Sequence, residues 1–463
     1  MGLGMSPLRQ PIAMAALISA VLFAGLRSCC FADITPSSPS TSPRKPRSWP
    51  WRQPSPPDSH SPAAPNGIAG DRRALPTSAV FPVYGNVYPD GFYYVSMNIG
   101  DPPKPYFLDI DTGSDVTWLQ CDAPCVKCSQ GPHPLYRPRK NGLVPCKHPL
   151  CAALHESTNH EGGCEVAEQC DYEIEYQDHG SSIGVLVSDT FALRLTNSSL
   201  AHPVLSFGCG YDQQAGPSAG PNGRSDTDGV LGLGSGKVSI LSQLSQLGIC
   251  RSVVGHCLGR RSTGFMFFGE NVVPPRSLTW APMSHNAAHK YYSPGLAEVY
   301  AGKQQLGVKQ AVVFDSGSSY TYFNDKLYHH LLSAISTEIS KVKPMLKEAA
   351  EDKALPHCWK GTRPFKSVFD LRKHFRSLNL SFANGKAPAV LEIPPENYFI
   401  VTKQGNACLG ILNGGEIGLG DLNLVGDISM QDVMIVYDNE KQRIGWARVA
   451  GCGRLPTFAN SPL

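Results

Sequence analysis

Short alternating runs of apolar and polar residues dominate the chain from about residue 81 onward. Residues 94–99 and 170–176 alternate between an apolar and a polar face, as half-buried β-strands do. Further apolar runs predict strands at residues 265–268, 311–314, 398–402 and 433–437. Apolar side chains recur at helical spacing only over residues 237–247 and 325–342, the latter with Asn324 or Asp325 as N-cap. The pattern predicts a mainly β protein with a few short helices.

A β-hairpin is predicted where the alternation of residues 170–176 breaks at a polar tip and resumes over residues 183–187. Tyr172, Ile174 and Tyr176 share one face of its first strand. If the hairpin projects over a cleft it is a lid with Tyr176 near its end. Alternatively it is an ordinary surface hairpin whose tyrosines belong to the core.

One short motif, Asp–hydroxyl–Gly–Ser, occurs twice, each time after an apolar run of β type. The copies are Asp111-Thr112-Gly113-Ser114 and Asp315-Ser316-Gly317-Ser318. In each, a buried strand delivers a carboxylate into a tight turn, where glycine lets the backbone approach closely and the hydroxyls can bond the carboxylate. Two copies 204 residues apart predict two equivalent lobes that each lend one acid to a shared site.

The glycine-punctuated stretches at residues 229–234 and 424–427 strengthen this prediction, because each follows the Asp of its own half by a similar interval. We therefore expect an N-terminal lobe over residues 81–275 and a C-terminal lobe over residues 276–455, followed by a tail at 456–463. The connection between the lobes is expected near residues 273–282, which contain prolines.

Composition narrows the possible compartments and partners. Charged residues make up 17%, and the net charge of +3 is too small to indicate nucleic acid or an anionic membrane as partner. Fifteen cysteines indicate an oxidising compartment. Residues 1–32 have the layout of a signal peptide, and their apolar run is shorter than a membrane anchor requires. We expect a protein of the secretory pathway, extracellular or vacuolar, without a stable membrane anchor.

Residues 33–80 are rich in Pro and Ser with scattered basic side chains, so this segment cannot bury enough apolar surface to fold alone. It is either a linker or the propeptide of a zymogen whose basic residues approach the active-site acids until removal. Asn197 and Asn379 lie in tripeptides that fit the N-glycosylation pattern.

Seven cysteines crowd into about fifty residues after Gln120, with little periodicity. The spacing of Cys121, Cys125 and Cys128 can be interpreted as a zinc site, but no histidine pattern completes it. Disulfides on a loop-rich insertion are favoured, and neither metal nor cofactor is expected.

Together, the paired Asp motifs, the hairpin with Tyr176 and the two apolar-Gly stretches resemble the pepsin-like aspartic proteases over about residues 81–452. The Cys-rich insertion, Ser316 and the Phe207-Gly-Cys209-Gly run resemble the plant branch with nucellin-like and nepenthesin-like members. The resemblance implies a bilobal fold of two six-stranded-barrel-like lobes around a central cleft. It further implies a monomeric aspartic endopeptidase that hydrolyses peptides or proteins at acid pH.

By the same resemblance, Asp111 and Asp315 are the catalytic pair that activates water. Tyr176 matches the flap tyrosine and Trp118 the indole that hydrogen-bonds it. Supporting roles in the two turns fall to Thr112, Gly113, Ser114, Ser316, Gly317 and Ser318. The resemblance also suggests six disulfides, with Cys250 left over: Cys121–Cys125, Cys128–Cys209, Cys146–Cys170, Cys151–Cys164, Cys257–Cys452 and Cys358–Cys408.

Two other functions compete with proteolysis. The first is that of a catalytically inactive relative that acts as a binding or inhibitor protein, but such proteins typically lose part of the catalytic set, which this chain retains. The second is that of a glycosidase, whose two carboxylates would lie about 5 to 9.5 Å apart and would not require duplicated Asp-hydroxyl-Gly turns.

Overall fold

The computed structural model describes residues 77–158, 164, 166–176, 180–214, 225–261, 263–274, 277–284, 291–341, 345–385 and 387–453. The predicted signal peptide, nearly all of the segment 33–80, the hairpin tip at 177–179 and the tail 456–463 lie outside these ranges. None of the helices described is both long and apolar enough to cross a membrane.

The first half of the described chain contains twelve strands and two helices. The strands are β1 (Ala79–Asn86), β2 (Phe92–Ile99), β3 (Lys104–Asp111), β4 (Trp118–Gln120), β5 (Asp171–Glu175), β6 (Ser181–Arg194), β7 (Leu200–Ala201), β8 (Val204–Gln214), β9 (Gly229–Gly232), β10 (Val253–Leu258), β11 (Gly264–Phe268) and β12 (Thr279–Pro282). The helices are α1 (Pro149–Thr158) and α2 (Ile240–Gln246).

The second half contains the remaining described elements. Its strands are β13 (Gly295–Ala301), β14 (Gln304–Phe314), β15 (Thr321–Phe323), β16 (Leu346–Glu348), β17 (Cys358–Gly361), β18 (Leu378–Phe382), β19 (Ala389–Ile393), β20 (Phe399–Val401), β21 (Ala407–Leu409), β22 (Ile411–Asn413), β23 (Leu422–Val425), β24 (Val433–Asp438) and β25 (Arg443–Arg448). Its helices are α3 (Asp325–Lys341) and α4 (Asp427–Met430), with 3₁₀ turns at Val368–Lys373, Pro395–Asn397 and Gly414–Ile417.

The same strand arrangement surrounds each Asp motif. In the first half β3 pairs in parallel with β9, which pairs antiparallel with β4, and β4 continues in parallel to β8. In the second half β14 pairs in parallel with β23, which pairs antiparallel with β15, and β15 continues in parallel to β22. The apolar-Gly stretches therefore contribute to strands β9 and β23, which pair with β3 and β14 beside the two Asp turns.

Strands of both halves join in one sheet. A 14-stranded sheet runs from β12 through β25, β24, β10, β11 and β1 into β2 and β3, so the C-terminal strands extend the N-terminal half. Seven- and four-stranded sheets complete the second half. The mainly β, bilobal prediction is confirmed, although the strands do not divide into two closed groups of six. One apolar core runs through both halves, where Tyr292 stacks on Tyr437 at 4.2 Å between ring centroids.

Both predicted helices are present as α2 and α3. Asn324 caps α3, because its side chain accepts the backbone N–H of Leu327 at 2.9 Å. Helix α1 was not predicted, since it lies inside the Cys-rich insertion. A disulfide joins its Cys151 to Cys170, just before β5. This bond helps to hold α1 against the hairpin, as the packing of an apolar stripe does for a longer helix.

Four of the six expected disulfides are wrong. The structure pairs Cys121 with Cys209, Cys125 with Cys128, Cys146 with Cys164 and Cys151 with Cys170. The pairs Cys257–Cys452 and Cys358–Cys408 are as expected, and Cys250 is a buried free thiol.

The physical reason for the first correction is strand register. Strand β4 pairs in parallel with β8 so that Leu119 lies opposite Cys209, and the backbone N–H of Cys121 donates to Gly210. The Cα atoms of Cys121 and Cys209 are thus 5.2 Å apart, within the range a disulfide spans. The neighbouring Cys125 and Cys128 then bond to each other. Since all four sulfurs are in disulfides, the zinc interpretation of this spacing has no free thiolates to use.

Candidate active site

The two Asp turns meet at the junction of the halves. Asp111 is the last residue of β3 and Asp315 follows β14 directly. Both side chains are buried, at 3% and 2% exposure. The neighbouring strands β9 and β23 hold the two turns in place, since Asp111 lies opposite Gly232 and the backbone N–H of Asp315 donates to the carbonyl of Val425. The structure thus brings together the two acids that the sequence singled out.

Each carboxyl group is held by its own turn in the same way. Oδ1 of Asp111 accepts the N–H of Gly113 at 2.8 Å, and Oδ2 accepts the hydroxyl of Ser114 at 2.5 Å. In the second turn, Oδ1 of Asp315 accepts the N–H of Gly317 at 2.9 Å and Oδ2 the hydroxyl of Ser318 at 2.7 Å. One oxygen of each carboxyl is thereby committed to the serine, and the Oδ1 atoms face each other.

The glycines of the motif are required because the opposing carboxyl lies against them. A Cβ atom on Gly113 would stand 2.6 Å from Oδ1 of Asp315, and one on Gly317 would stand 2.5 Å from Oδ1 of Asp111. The two acidic side chains also hydrogen-bond each other. No residue with a side chain fits at either glycine position without separating the acids.

Reciprocal hydrogen bonds lock the two turns together. The hydroxyl of Ser316 accepts the backbone N–H of Thr112 at 3.1 Å and donates to the carbonyl of Ile110 at 2.9 Å. Conversely, the hydroxyl of Thr112 accepts the N–H of Ser316 at 2.9 Å and donates to the carbonyl of Phe314 at 3.3 Å. All of these groups are buried, so four hydrogen bonds that are shielded from water set the separation of the two acids.

Replacing Ser316 tests this lock. Ser316→Ala should destabilise the protein by about 2 kcal/mol or more, because it leaves a buried N–H and a buried carbonyl without partners. We also expect lower kcat, since the acids lose part of their alignment. Urea unfolding and steady-state kinetics measure the two effects. Ser316→Thr is the matched control, because it retains the hydroxyl; equal losses in both variants would contradict the role given to the hydroxyl.

The hairpin predicted from the alternation consists of β5 and β6, and Tyr176 lies at the end of its first strand. Its hydroxyl accepts the indole N–H of Trp118 at 2.5 Å. Tyr176 packs with Trp118, Tyr172 and Val230 in a cluster under the hairpin. Burial is the first cause of the raised pKa of Tyr176, and the charge of Asp111 adds to it.

Electrostatics favour a shared proton on the acid pair. The pKa of Asp315 is raised to about 8, first by burial and second by the charge of Asp111. The hydrogen bonds from Ser318 and Gly317 oppose this shift without cancelling it. Two carboxylates in contact cannot both ionise cheaply, so the pair retains one proton into the acid and neutral range.

Comparison with known proteins agrees with this geometry. Residues 93–270 match the family model described as xylanase inhibitor N-terminal, and residues 298–448 match the one described as xylanase inhibitor C-terminal. An aspartic proteinase of Oryza sativa subsp. indica is 44% identical over 395 residues, which cover 83% of this chain and 94% of the rice protein. The chain belongs to the pepsin-like aspartic proteinases.

Solved structures share the fold of this proteinase. Basic 7S globulin from soybean superposes with a TM-score of 0.63 at 17% identity, covering 83% of this chain and all of the globulin. The aspartic proteinase from Irpex lacteus superposes with a TM-score of 0.57 at 16% identity, covering 82% of this chain and all of that chain. At these identities the likeness concerns the fold alone.

The sequence reasoning missed two buried acids of the proteinase beside the pair. Asp109 lies two residues before Asp111 on β3 and is 5% exposed; Asp427 begins α4 and is 1% exposed. Burial is the main cause of the raised pKa of both, and the charges of Asp111 and Asp315 add to it. For Asp109, the available signal was a charged residue at an inward position of an otherwise apolar strand.

A third missed residue, Asp115, connects the Cys-rich insertion to the first Asp turn. Its carboxyl accepts the N–H of Gly236 at 2.7 Å and the hydroxyl of Ser157, at the end of α1, at 2.6 Å. Since α1 is bonded through Cys151 to the base of the hairpin, the insertion joins the hairpin to the catalytic turn. The signal in the sequence was the position of Asp115 directly after Ser114 of the motif.

Proposed function

We propose that the protein hydrolyses peptide bonds as an aspartic endopeptidase, with Asp111 and Asp315 jointly activating a water molecule. The observation that carries the proposal is the contact between two buried carboxyls, each held by an equivalent turn. General acid–base chemistry needs one group that takes a proton and another that gives one. A carboxyl pair that shares a single proton supplies both at once.

The reaction follows from the arrangement of the four oxygens. The ionised carboxyl accepts a proton from a water molecule bound to both carboxyls, and that water attacks the carbonyl carbon of the scissile bond. The protonated carboxyl donates to the carbonyl oxygen, which gives a tetrahedral diol. Collapse of the diol with protonation of the leaving nitrogen breaks the C–N bond and restores the pair to its original state. Ser114 and Ser318 hold the outer oxygens fixed throughout.

Tyr176 and Trp118 act as the flap in this proposal. Their hydrogen bond fixes the tyrosine ring beside the acids, where a hairpin closing over a peptide would exclude bulk water. Gly113, Gly317, Thr112 and Ser316 keep the acids in contact. Their part is positional, because they shape the turns rather than exchange protons.

An inactive binding or inhibitor protein is the alternative, since the matched family models carry the name of xylanase inhibitors. The retained set argues against it: both acids, both serines, the two linking hydroxyls and the Trp118–Tyr176 bond. The contact between the carboxyls likewise disfavours a glycosidase, whose acids need room for the sugar between them.

The cellular setting forms part of the same proposal. Residues 1–32 act as a signal peptide and residues 33–80 as a propeptide, and the lobes divide near residues 275–276. Asn197 and Asn379 are the glycosylation sites of a monomeric protein in the secretory pathway, extracellular or vacuolar. Six disulfides in the described residues support an oxidising compartment.

The experiment is an assay of the purified full chain on casein across pH 3 to 8, with and without pepstatin. We expect cleavage that is highest at acid pH, falls as the pH approaches 8 and is abolished by pepstatin, because the shared proton is lost as the pH rises through about 8. Cleavage that persists with pepstatin, or is absent at every pH after removal of residues 33–80, would contradict the proposal.

A further inference from the structure

Tyr292 is a buried tyrosine whose side chain is bonded to the support of the first Asp turn. It lies just before β13 and is 3% exposed. Its hydroxyl donates to the carbonyl of Leu233 at 3.1 Å. Leu233 directly follows β9, and its own N–H donates to the carbonyl of Asp111 at 2.7 Å. A single residue, Leu233, thus connects the hydroxyl of Tyr292 to the first catalytic acid.

The backbone of Tyr292 is bonded to the second Asp turn. Its carbonyl accepts the N–H of Phe314 at 2.9 Å, and Phe314 directly precedes Asp315. The carbonyl of Phe314 in turn accepts the hydroxyl of Thr112, so both backbone polar groups of Phe314 are bonded to residues that support the acid pair. Hydrogen bonds thus run without a break from Asp111, through Tyr292, to the residue before Asp315.

Two neighbours fix the side chain of Tyr292. Its ring stacks on that of Tyr437, with the ring centroids 4.2 Å apart. The side-chain amide of Asn439 donates to its hydroxyl at 3.1 Å. Because an N–H of Asn439 is bonded to the hydroxyl oxygen, the hydroxyl proton is left for the carbonyl of Leu233. Burial raises the pKa of Tyr292 above its ordinary value, so the hydroxyl keeps this proton at acid and neutral pH.

The contacts of Tyr292 are separate from the reciprocal bonds of Thr112 and Ser316. Those bonds join the two turns at the residues that directly follow the acids. Tyr292 instead joins the residue bonded to the backbone of Asp111 with the residue that precedes Asp315. The two acids are thus connected at two places, and the second connection passes through a side chain from outside the Asp motifs.

We propose that Tyr292 is a positioning residue that fixes the separation of Asp111 and Asp315 during catalysis. This inference rests on the proposed endopeptidase function. Tyr292 acts through the backbone of Leu233 and Phe314 and not by exchanging protons with the substrate. Two carboxyls that share one proton must keep a fixed distance, since a displacement of about 1 Å in an active site can lower the rate by about 100-fold.

The competing explanation is that Tyr292 is an ordinary core residue whose hydroxyl is bonded to a nearby carbonyl. In that case loss of the hydroxyl lowers stability but leaves the folded enzyme as active as before. A positioning role predicts in addition a lower kcat with an unchanged KM, because the acids are misaligned while substrate binding is unaffected. The two explanations thus differ in the activity of the folded variant.

The test compares Tyr292→Phe with the wild type on an internally quenched peptide, using the purified full chain. The phenylalanine keeps the ring stack and the backbone bond to Phe314 but leaves the carbonyl of Leu233 without its donor. We expect kcat at acid pH to fall by about 10-fold, with KM within about 2-fold of the wild type. The alkaline limb of the kcat profile should also move to lower pH by about half a unit, because acids that lie farther apart repel each other less.

Tyr398→Phe is the matched control. Tyr398 is 2% exposed and also donates its hydroxyl to a backbone carbonyl, that of Arg376, at 2.6 Å. This variant should shift the midpoint of urea unfolding about as much as Tyr292→Phe does, whereas its kcat should stay within about 2-fold of the wild type. Asn439→Ala is the second variant. It retains Tyr292 but removes one of the two bonds that orient the hydroxyl, so kcat should fall by at least about 3-fold.

Each outcome decides the proposal. A folded Tyr292→Phe whose kcat is lowered no more than that of Tyr398→Phe overturns it. A loss that appears wholly in KM also overturns it, because Tyr292 would then serve substrate binding. If Tyr292→Phe does not fold, Asn439→Ala decides by the same criteria. Absence of cleavage by the wild type would instead count against the endopeptidase function itself.

Discussion

Asp111→Asn should reduce kcat by at least about 10³-fold on any peptide substrate, while KM changes little. The amide cannot take a proton from water, and it cannot share one with Asp315. The serine and glycine donors that hold the side chain remain in place, so the turn should keep its shape. Steady-state kinetics on a quenched peptide measure both constants.

The matched variant for this prediction is Asp315→Asn, which removes the other acid from an equivalent turn. Because the two acids act as one unit, the double variant should be no slower than either single one. Glu416→Gln serves as the control for loss of an acid elsewhere. Retention of a tenth or more of wild-type kcat in either single variant would exclude the proposed chemistry.

The sequence predicted the Asp turns because the information is local: an apolar strand, an acid, a hydroxyl, a glycine and a serine in order. We inferred that the two turns lie together from the repetition of the motif, because the sequence does not show which residues are in contact. The register that aligns Asp111 with Gly232 in one half, and Asp315 with Val425 in the other, is the physical counterpart of that repetition.

The disulfides could not be predicted in this way. Whether Cys121 bonds to Cys125 or to Cys209 depends on a parallel pairing between strands 88 residues apart, and cysteine spacing does not record that pairing. The helix α1 was missed for a related reason: within the Cys-rich insertion, covalent bonds replace part of the apolar periodicity that identifies helices.

Asp109 shows a further limit of what a sequence motif can identify. Residues 107–111 contain two aspartates, and the motif directs attention to the one that precedes Thr112. Only the structure shows that Asp109 is about as deeply buried as Asp111 and that Asp427, more than three hundred residues away, lies next to the second Asp turn. Their burial arises only in the folded chain, so a local motif does not record it.

Stability should fall as the pH rises from about 6.5 to about 8, and Asp315 contributes to this fall. Its pKa lies near 3.8 in a free side chain and is raised to about 8 in the folded protein by burial and by the charge of Asp111. Between these values the folded state holds a proton that the unfolded state has released. The contribution is therefore fully present below pH 3.8 and is lost as the pH rises through about 8.

The raised pKa values of Asp109 and Asp427 act in the same direction. Glu396 acts in the opposite direction. Burial raises its pKa, but hydrogen bonds from Arg372 and a backbone N–H, together with the charges of Arg372 and Arg260, lower it by more, so its contribution is lost as the pH falls. That loss lies below about pH 4.5, the ordinary value for Glu. Burial also lowers the pKa of His256 from 6.5 to about 3, so its contribution is lost as the pH falls below about 6.5. Above pH 6.5 neither group offsets the decline from the acids.

Urea unfolding at intervals between pH 4 and 8 measures the effect. Since one pKa unit corresponds to about 1.4 kcal/mol, a proton held by the folded state from pH 6.5 to 8 contributes about 2 kcal/mol, and we expect the wild type to lose at least that much across this interval. Asp315→Asn should be less dependent on pH, because the amide does not titrate, whereas Glu416→Gln should follow the wild type. A wild-type free energy of unfolding that is constant or rises toward pH 8 would show that the buried acids do not hold their protons as the geometry requires.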